Sequence, residues 1–187
     1  MQTKEKIQGS VISTKSITMI AMFTAVLAVM AQISIPMPSG VPITLQTFAV
    51  ALTGIVLSWK KGTISVLIYI ILGIVGVPVF SNLSAGIAII AGKTGGFIWG
   101  FLFLAAFCGL GIQRKHIVTG SVMGIAGLAI CHFLGVIQFA MLTGMGIAEA
   151  SLLVSLPYII KDVISVALAF ILGREIRKRL IRADLLS

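Results

Sequence analysis

Between Lys15 and Arg174 the chain passes through one apolar interval after another in which charge is almost absent, the breaks falling at Lys60/Lys61, Lys93, Arg114/Lys115 and Glu149. A helix rising 1.5 Å per residue needs roughly 20 apolar residues to cross the hydrocarbon core of a bilayer. The intervals therefore read as transmembrane helices. The stretch from Ser16 to Trp59 is long enough for two, and Ile35-Pro-Met-Pro-Ser-Gly-Val-Pro42 divides it with three prolines and a glycine. The reading is an all-α polytopic membrane protein, a single integral membrane unit over residues 1–187. Its six predicted helices cover 16–35, 42–59, 63–77, 95–112, 117–143 and 150–173. Pro78 ends the third, and the apolar but glycine-bearing stretch from Phe80 to Gly92 is expected as a buried loop or broken helix. No internal repeat is visible and no interval leaves room for a soluble domain.

Composition agrees. With 58% hydrophobic and 10% charged residues, the chain lacks the polar surface of a water-soluble domain. The formal net charge of +9 does not point to nucleic acid, because the basic residues form short clusters between apolar runs without interleaved aromatics. They suit an anionic inner leaflet instead. Of 14 lysines and arginines, twelve fall on one side of a six-span topology: Lys4, Lys6, Lys15, Lys60, Lys61, Arg114, Lys115, Arg174, Arg177, Lys178, Arg179 and Arg182. By the positive-inside rule both termini are cytoplasmic, and the connections near 36–41, 77–94 and 144–149 face outside. Ile17 to Ile35 is too long for a signal-peptide core and is followed by no small-x-small cleavage site. Cys108 and Cys131, each inside an apolar run, signal neither a metal site nor a disulfide framework.

Few residues are left to carry chemistry. Lys161 and Asp162 interrupt the last helix, where each charge alone costs roughly 2.5–3.5 kcal/mol. They either neutralise each other within the bundle or mark a ligand site. Being adjacent, they point about 100° apart, so one pocket takes both only near its flank. Lys93, the lone cation of the outer loops, stands in Gly92-Lys-Thr-Gly-Gly96. A phosphate-binding loop would need a glycine at Ile87 and a preceding strand, so the readings left are an anion-attracting rim at a helix start, with Thr94, or a snorkelling lysine. Thr44 and Gln46 near the outer end of helix two, Asn82 in the apolar loop and Tyr158 one turn before Asp162 complete an outward-facing polar set. Phe80, Phe97 and Trp99 are candidate apolar walls or packing residues. His132, mid-helix with no acid near it in sequence, reads as an interhelical hydrogen bond rather than a ligand group; His116 reads as headgroup-facing. Ala21 with Ala25, Gly96 with Gly100 and Gly120 with Gly124 form small-xxx-small faces, the glycine pairs for packing within the chain and the alanine pair also for another membrane subunit.

The segments Ile35-Pro-Met-Pro, Val41-Pro-Ile-Thr-Leu-Gln-Thr, Gly76-Val-Pro-Val-Phe80, Gly92-Lys-Thr-Gly-Gly-Phe97 and Pro157-Tyr-Ile-Ile-Lys-Asp162 together resemble, in order and spacing, the BioY family. These are biotin-binding S components of energy-coupling factor (ECF) transporters. The resemblance implies a six-helix S-component fold, biotin capture on the outer side, no enzymatic activity and no cofactor. It also implies a partner module of one transmembrane coupling protein and two ATPase subunits. Ala21 and Ala25 match the alanine motif that meets the coupling protein, Thr44 and Gln46 the Thr-Leu-Gln element, and Asp162 the acidic residue of the last helix. The chain departs from the family at Lys93 (commonly proline), Phe97 (commonly tyrosine) and Ser165 (commonly lysine), while a lysine stands before the acid, at Lys161. Biotin's ureido ring, apolar thioether ring and carboxylate each ask for a different partner. Asp162 suits a ureido N–H, Lys161 or Asn82 the ureido oxygen, Thr44, Gln46, Thr94 or Lys93 the carboxylate, and Phe80, Phe97 and Tyr158 the ring. The competing classes are a partner-independent carrier or channel and an intramembrane enzyme using Asp162 or His132 as base; no nucleophile-base spacing supports the latter.

Overall fold

The computed structural model describes residues 13–114 and 117–186. Lys4, Lys6, Lys115 and His116 lie outside the described residues. Helix α1 (Thr14–Gln32) starts at Ser13, whose hydroxyl accepts from the Ser16 amide and so satisfies one of the free N–H groups of the first turn. It stops three residues short of the expected end. Pro36, Pro38 and Pro42 each force the preceding residue toward extended backbone, and residues 33–45 form a small hairpin instead. Its strands β1 (Ser34–Ile35) and β2 (Ile43–Thr44) pair antiparallel, Ser34 opposite Thr44.

The helical path from Gln46 to Ile74 is two helices that double back at Ser58, where φ 67° and ψ 170° leave helical space. Gln46 and Tyr69 would stand about 34 Å apart on a straight helix, yet the Gln46 amide donates to the Tyr69 hydroxyl at 2.7 Å. Around the reversal, a Cβ on Gly62 would stand 2.8 Å from the Gly54 Cα, so only glycine lets the arms touch there. These arms, α2 (46–57) and α3 (59–74), are the second and third expected helices, reversed through one residue rather than a loop. Helix α1 lies against α3 through the Thr24 and Ser65 hydroxyls, 3.0 Å apart.

The stretch expected as a buried loop contains a 3-10 turn (Ser81–Leu83) and the short helix α4 (Ile87–Ala91). Gln32 ties it to the end of α1, donating to the Phe80 carbonyl (3.1 Å) and accepting from the Leu83 amide (2.9 Å). Helices α5 (Gly95–Gly111) and α6 (Ile117–Thr143) follow. They approach so closely at Gly100 that a Cβ would lie 2.5 Å from the Cys131 Cα.

The last expected helix is two, α7 (Ile147–Val154) and α8 (Leu156–Arg182), parted at Ser155. Pro157 explains the break, since proline lacks an N–H and fits only the first turn of a new helix. Helix α8 also runs beyond 173, its last turn carrying Arg179 and Arg182 where cations meet the negative end of the helix dipole. With α2 and α3 counted separately and α7–α8 as one pass, the described residues make six apolar passes in an all-α membrane fold. At one end of it, the Gln113 side chain donates to Ser58 Oγ (2.9 Å), Arg177 Nη1 donates to the Val56 carbonyl (2.6 Å) and Lys15 pairs with Asp184. The α2–α3 reversal, the end of α5 and the tail of α8 therefore share that end. The hairpin and the 80–94 segment occupy the opposite one.

Candidate ligand-binding site

A cavity between the hairpin, α5, α6 and α8 opens toward the hairpin end. Its floor holds the charges. Asp162, 5% exposed, receives Nε2 of His132 at 3.2 Å on Oδ2. The Lys161 ammonium stands 2.5 Å from Oδ1. That contact is an ion pair, and Oδ1 itself is fully buried. Lys161 is the more exposed of the pair and lies on the flank of α8, where its ammonium donates to the Thr44 carbonyl at 2.9 Å. The adjacency that separates the two side chains by about 100° is thus resolved by the lysine's length: it reaches round to the acid and to the hairpin together. The pair both neutralises itself and faces a cavity.

Thr44 and Gln46 form the wall under the hairpin. The Thr44 hydroxyl donates to Gln46 Oε1 (3.1 Å), and the Gln46 amide nitrogen is held by the Tyr69 hydroxyl, which in turn donates to the Val79 carbonyl (3.1 Å). Tyr158, 5% exposed, closes another side, its hydroxyl donating to the Val41 carbonyl at 2.6 Å. Phe80, Phe97, Phe101 and Leu128 supply the apolar surface, and Thr94 stands at the start of α5. Polar groups at one end of an apolar enclosure orient a guest while apolar walls exclude water.

His132, Ser155 and Asp162 form a row, with Nδ1 of His132 2.9 Å from Ser155 Oγ. The row resembles a hydrolase triad but is turned round: the serine is on Nδ1, the acid on Nε2, and the acid and histidine line the cavity while the serine lies behind them. It offers no nucleophile to a guest.

The sequence profile of the BioY family matches residues 1–182. The chain belongs to the BioY family. It is 38% identical over 163 residues to the probable biotin transporter BioY of Pyrococcus horikoshii, covering 87% of this chain and 96% of that one. It is 36% identical over 157 residues to the biotin transporter BioY of Thermotoga maritima, covering 83% and 92%. The crystal structure of the S-component for biotin from an ECF-type ABC transporter superposes with a TM-score of 0.80 at 27% identity, over 88% of this chain and 92% of that one. The fold is the S-component fold.

Of the residues singled out from the sequence of this BioY-family chain, Thr44, Gln46, Phe80, Thr94, Phe97, Tyr158, Lys161 and Asp162 share the one cavity. Asn82 does not: it is exposed, and its Oδ1 accepts from the Ser34 hydroxyl (2.7 Å), pinning the hairpin to the 3-10 turn. Lys93 is exposed at the rim, its ammonium 6.0 Å from the centre of the Phe139 ring. Trp99 is 41% exposed and outside the lining. Ala21 and Ala25 are exposed on α1 and line a separate apolar groove against α3. Sequence reading placed His132 in an interhelical bond, which it makes, and missed that the same ring walls the cavity. Thr47, one residue past Gln46, also lines the cavity and was not singled out from the sequence.

Proposed function

We propose that this chain is the biotin-capturing membrane subunit of an ECF-type transporter and binds biotin from the outer side. The observation that carries the reading is Asp162, a buried acid balanced by Lys161 on the floor of a largely apolar cavity. A ureido ring presents an N–H beside a carbonyl, which suits the Asp162 carboxylate and the Lys161 ammonium, both in the cavity lining. The thioether ring suits Phe80, Phe97 and Tyr158, and the valerate carboxylate suits the rim, where Thr94 and Lys93 stand. The basic clusters gather at the end opposite the cavity mouth, which supports an outward-facing site with the described chain ends on the cytoplasmic side. Membership of the BioY family and the relatives named above support biotin as the ligand.

Transport then needs energy from a partner module, a transmembrane coupling protein with two ATPase subunits, for which Ala21 and Ala25 offer a smooth docking face. The test is calorimetric titration of biotin into the purified chain in detergent. Intrinsic fluorescence is the poorer readout, because neither Trp59 nor Trp99 lines the cavity. One tight site per chain is expected, together with no uptake into liposomes until the module is added. Absence of binding at micromolar biotin sinks the ligand assignment, and uptake by the chain alone replaces the subunit reading with an autonomous carrier.

A further inference from the structure

We infer that Ser155 and His132 form a positioning relay that fixes the orientation of the Asp162 carboxylate on the cavity floor. Resting on the biotin reading above, this assigns to His132 a role in holding the acid that the guest meets. The geometry begins at the break between α7 and α8. Ser155 stands at the N-cap of α8, where a serine side chain ordinarily accepts a hydrogen bond from its own helix. Here it makes none: the Ser155 carbonyl receives the Tyr158 and Ile159 amides, and the hydroxyl turns to Nδ1 of His132 at 2.9 Å. Ser155, His132 and Asp162 are 7%, 7% and 5% exposed, so water does not compete for these bonds.

The charge state follows from the surroundings. Lys161 already balances Asp162, and among the described residues no second carboxylate lines the cavity. A second buried cation would lack a partner, which apolar surroundings penalise. A neutral imidazole has one donor and one acceptor nitrogen. A carboxylate only accepts, so the proton sits on Nε2, facing Asp162 Oδ2, and Nδ1 accepts from the Ser155 hydroxyl. The edge of the ring against Phe97, centroids 5.8 Å apart and planes at 88°, holds this orientation. With Oδ2 held by His132, Oδ1 is turned to the Lys161 ammonium 2.5 Å away. The relay thereby holds the carboxylate in one orientation beside its cation. Partners of this kind, lying behind a ligating group, are worth roughly 10- to 100-fold where they have been removed from other sites.

The experiment uses the full chain carrying His116→Gln, so that one of its two histidines remains, labelled with 15N-histidine in detergent. A single neutral tautomer with the proton on Nε2 is expected; Ser155→Ala should give a tautomer mixture and Ser155→Thr should retain the single form. Biotin affinity should fall about 3- to 10-fold in Ser155→Ala and about 10- to 100-fold in His132→Leu. His132→Gln, whose amide N–H reaches the place of Nε2, should recover most of that loss. A proton found on Nδ1 or on both nitrogens overturns the relay, as does unchanged affinity in Ser155→Ala and His132→Leu. If His132→Leu fails to fold, Ser155→Ala and the tautomer spectrum decide. If the parent chain does not bind biotin, the ligand assignment fails while the tautomer comparison still decides the relay.

Discussion

The phenol of Tyr158 donates a 2.6 Å hydrogen bond to the backbone carbonyl of Val41, joining the first turn of α8 to the proline-rich hairpin that borders the cavity. The same hydroxyl lies 3.3 Å from Ser39 Oγ, and one turn further Lys161 holds the Thr44 carbonyl. The hairpin has only two short paired strands of its own. Its position over the site therefore depends on these side chains from a distant part of the chain.

Tyr158→Phe keeps the ring as an apolar wall and removes the donor. A net loss of about 1 kcal/mol is expected for one such bond, seen as roughly fivefold weaker biotin binding. The change should lie mainly in faster dissociation, because a looser hairpin lets the guest escape. Stopped-flow displacement of labelled biotin checks it; an unchanged off-rate would show that the hairpin is held without Tyr158.

Asp162 and Lys161 make a prediction about two quantities at once. Asp162→Ala leaves a cation without its acid and removes the acceptor for the guest, so binding should weaken by about 2–4 kcal/mol and thermal stability should fall too. The double variant Asp162→Leu with Lys161→Met removes both charges from apolar surroundings. Stability should then return to near that of the parent while binding stays lost. Calorimetry with a detergent-phase melting assay measures both, and recovery of binding in the double variant would show that the acid does not touch the ligand.

Ala21 and Ala25 are exposed on α1, one turn apart, over a groove whose far wall is Ile64, Ile68 and Leu72 of α3. Ala21→Trp or Ala25→Trp fills that groove with a bulky ring. Biotin binding should be unaffected, since the cavity is elsewhere, whereas co-purification with the coupling protein and its ATPases should drop sharply. Normal assembly of both variants would move the docking face to another helix.

Much of this was legible in the sequence, for physical reasons that also set the limits. Bilayer thickness and the cost of intramembrane charge make apolar intervals and Asp162 conspicuous, so the passes and the floor of the site could be read directly. Proximity across passes could not. Nothing local says that His132 on α6 meets Ser155 and Asp162, which stand 23 and 30 residues away. Ser58 gave no turn signal either: a serine at positive φ is uncommon, and the reversal is held by Gln113, just past the end of α5, and by the close approach of Gly54 and Gly62. Asn82, a polar residue in an apolar run, bonds Ser34 of the hairpin and stands outside the cavity lining, a placement that sequence alone does not give.

Lys93 and Asn82 separate the rim from the site. The Lys93 ammonium is exposed above Phe139 and outside the cavity lining, so it meets an anionic guest in water-like surroundings where salt screens the attraction within about 8–10 Å. Lys93→Ala should slow association of biotin a few-fold at low ionic strength and leave the dissociation rate nearly unchanged. The difference from the parent should vanish as salt is raised. Biotin methyl ester, which has no carboxylate, should be insensitive to the substitution at any salt concentration. Asn82→Ala removes only the bond to Ser34 and should alter neither rate by more than about twofold. A faster off-rate in Lys93→Ala that persists in high salt would instead put the ammonium in direct contact with the bound carboxylate, and the loop before α5 would then have to close inward over the guest.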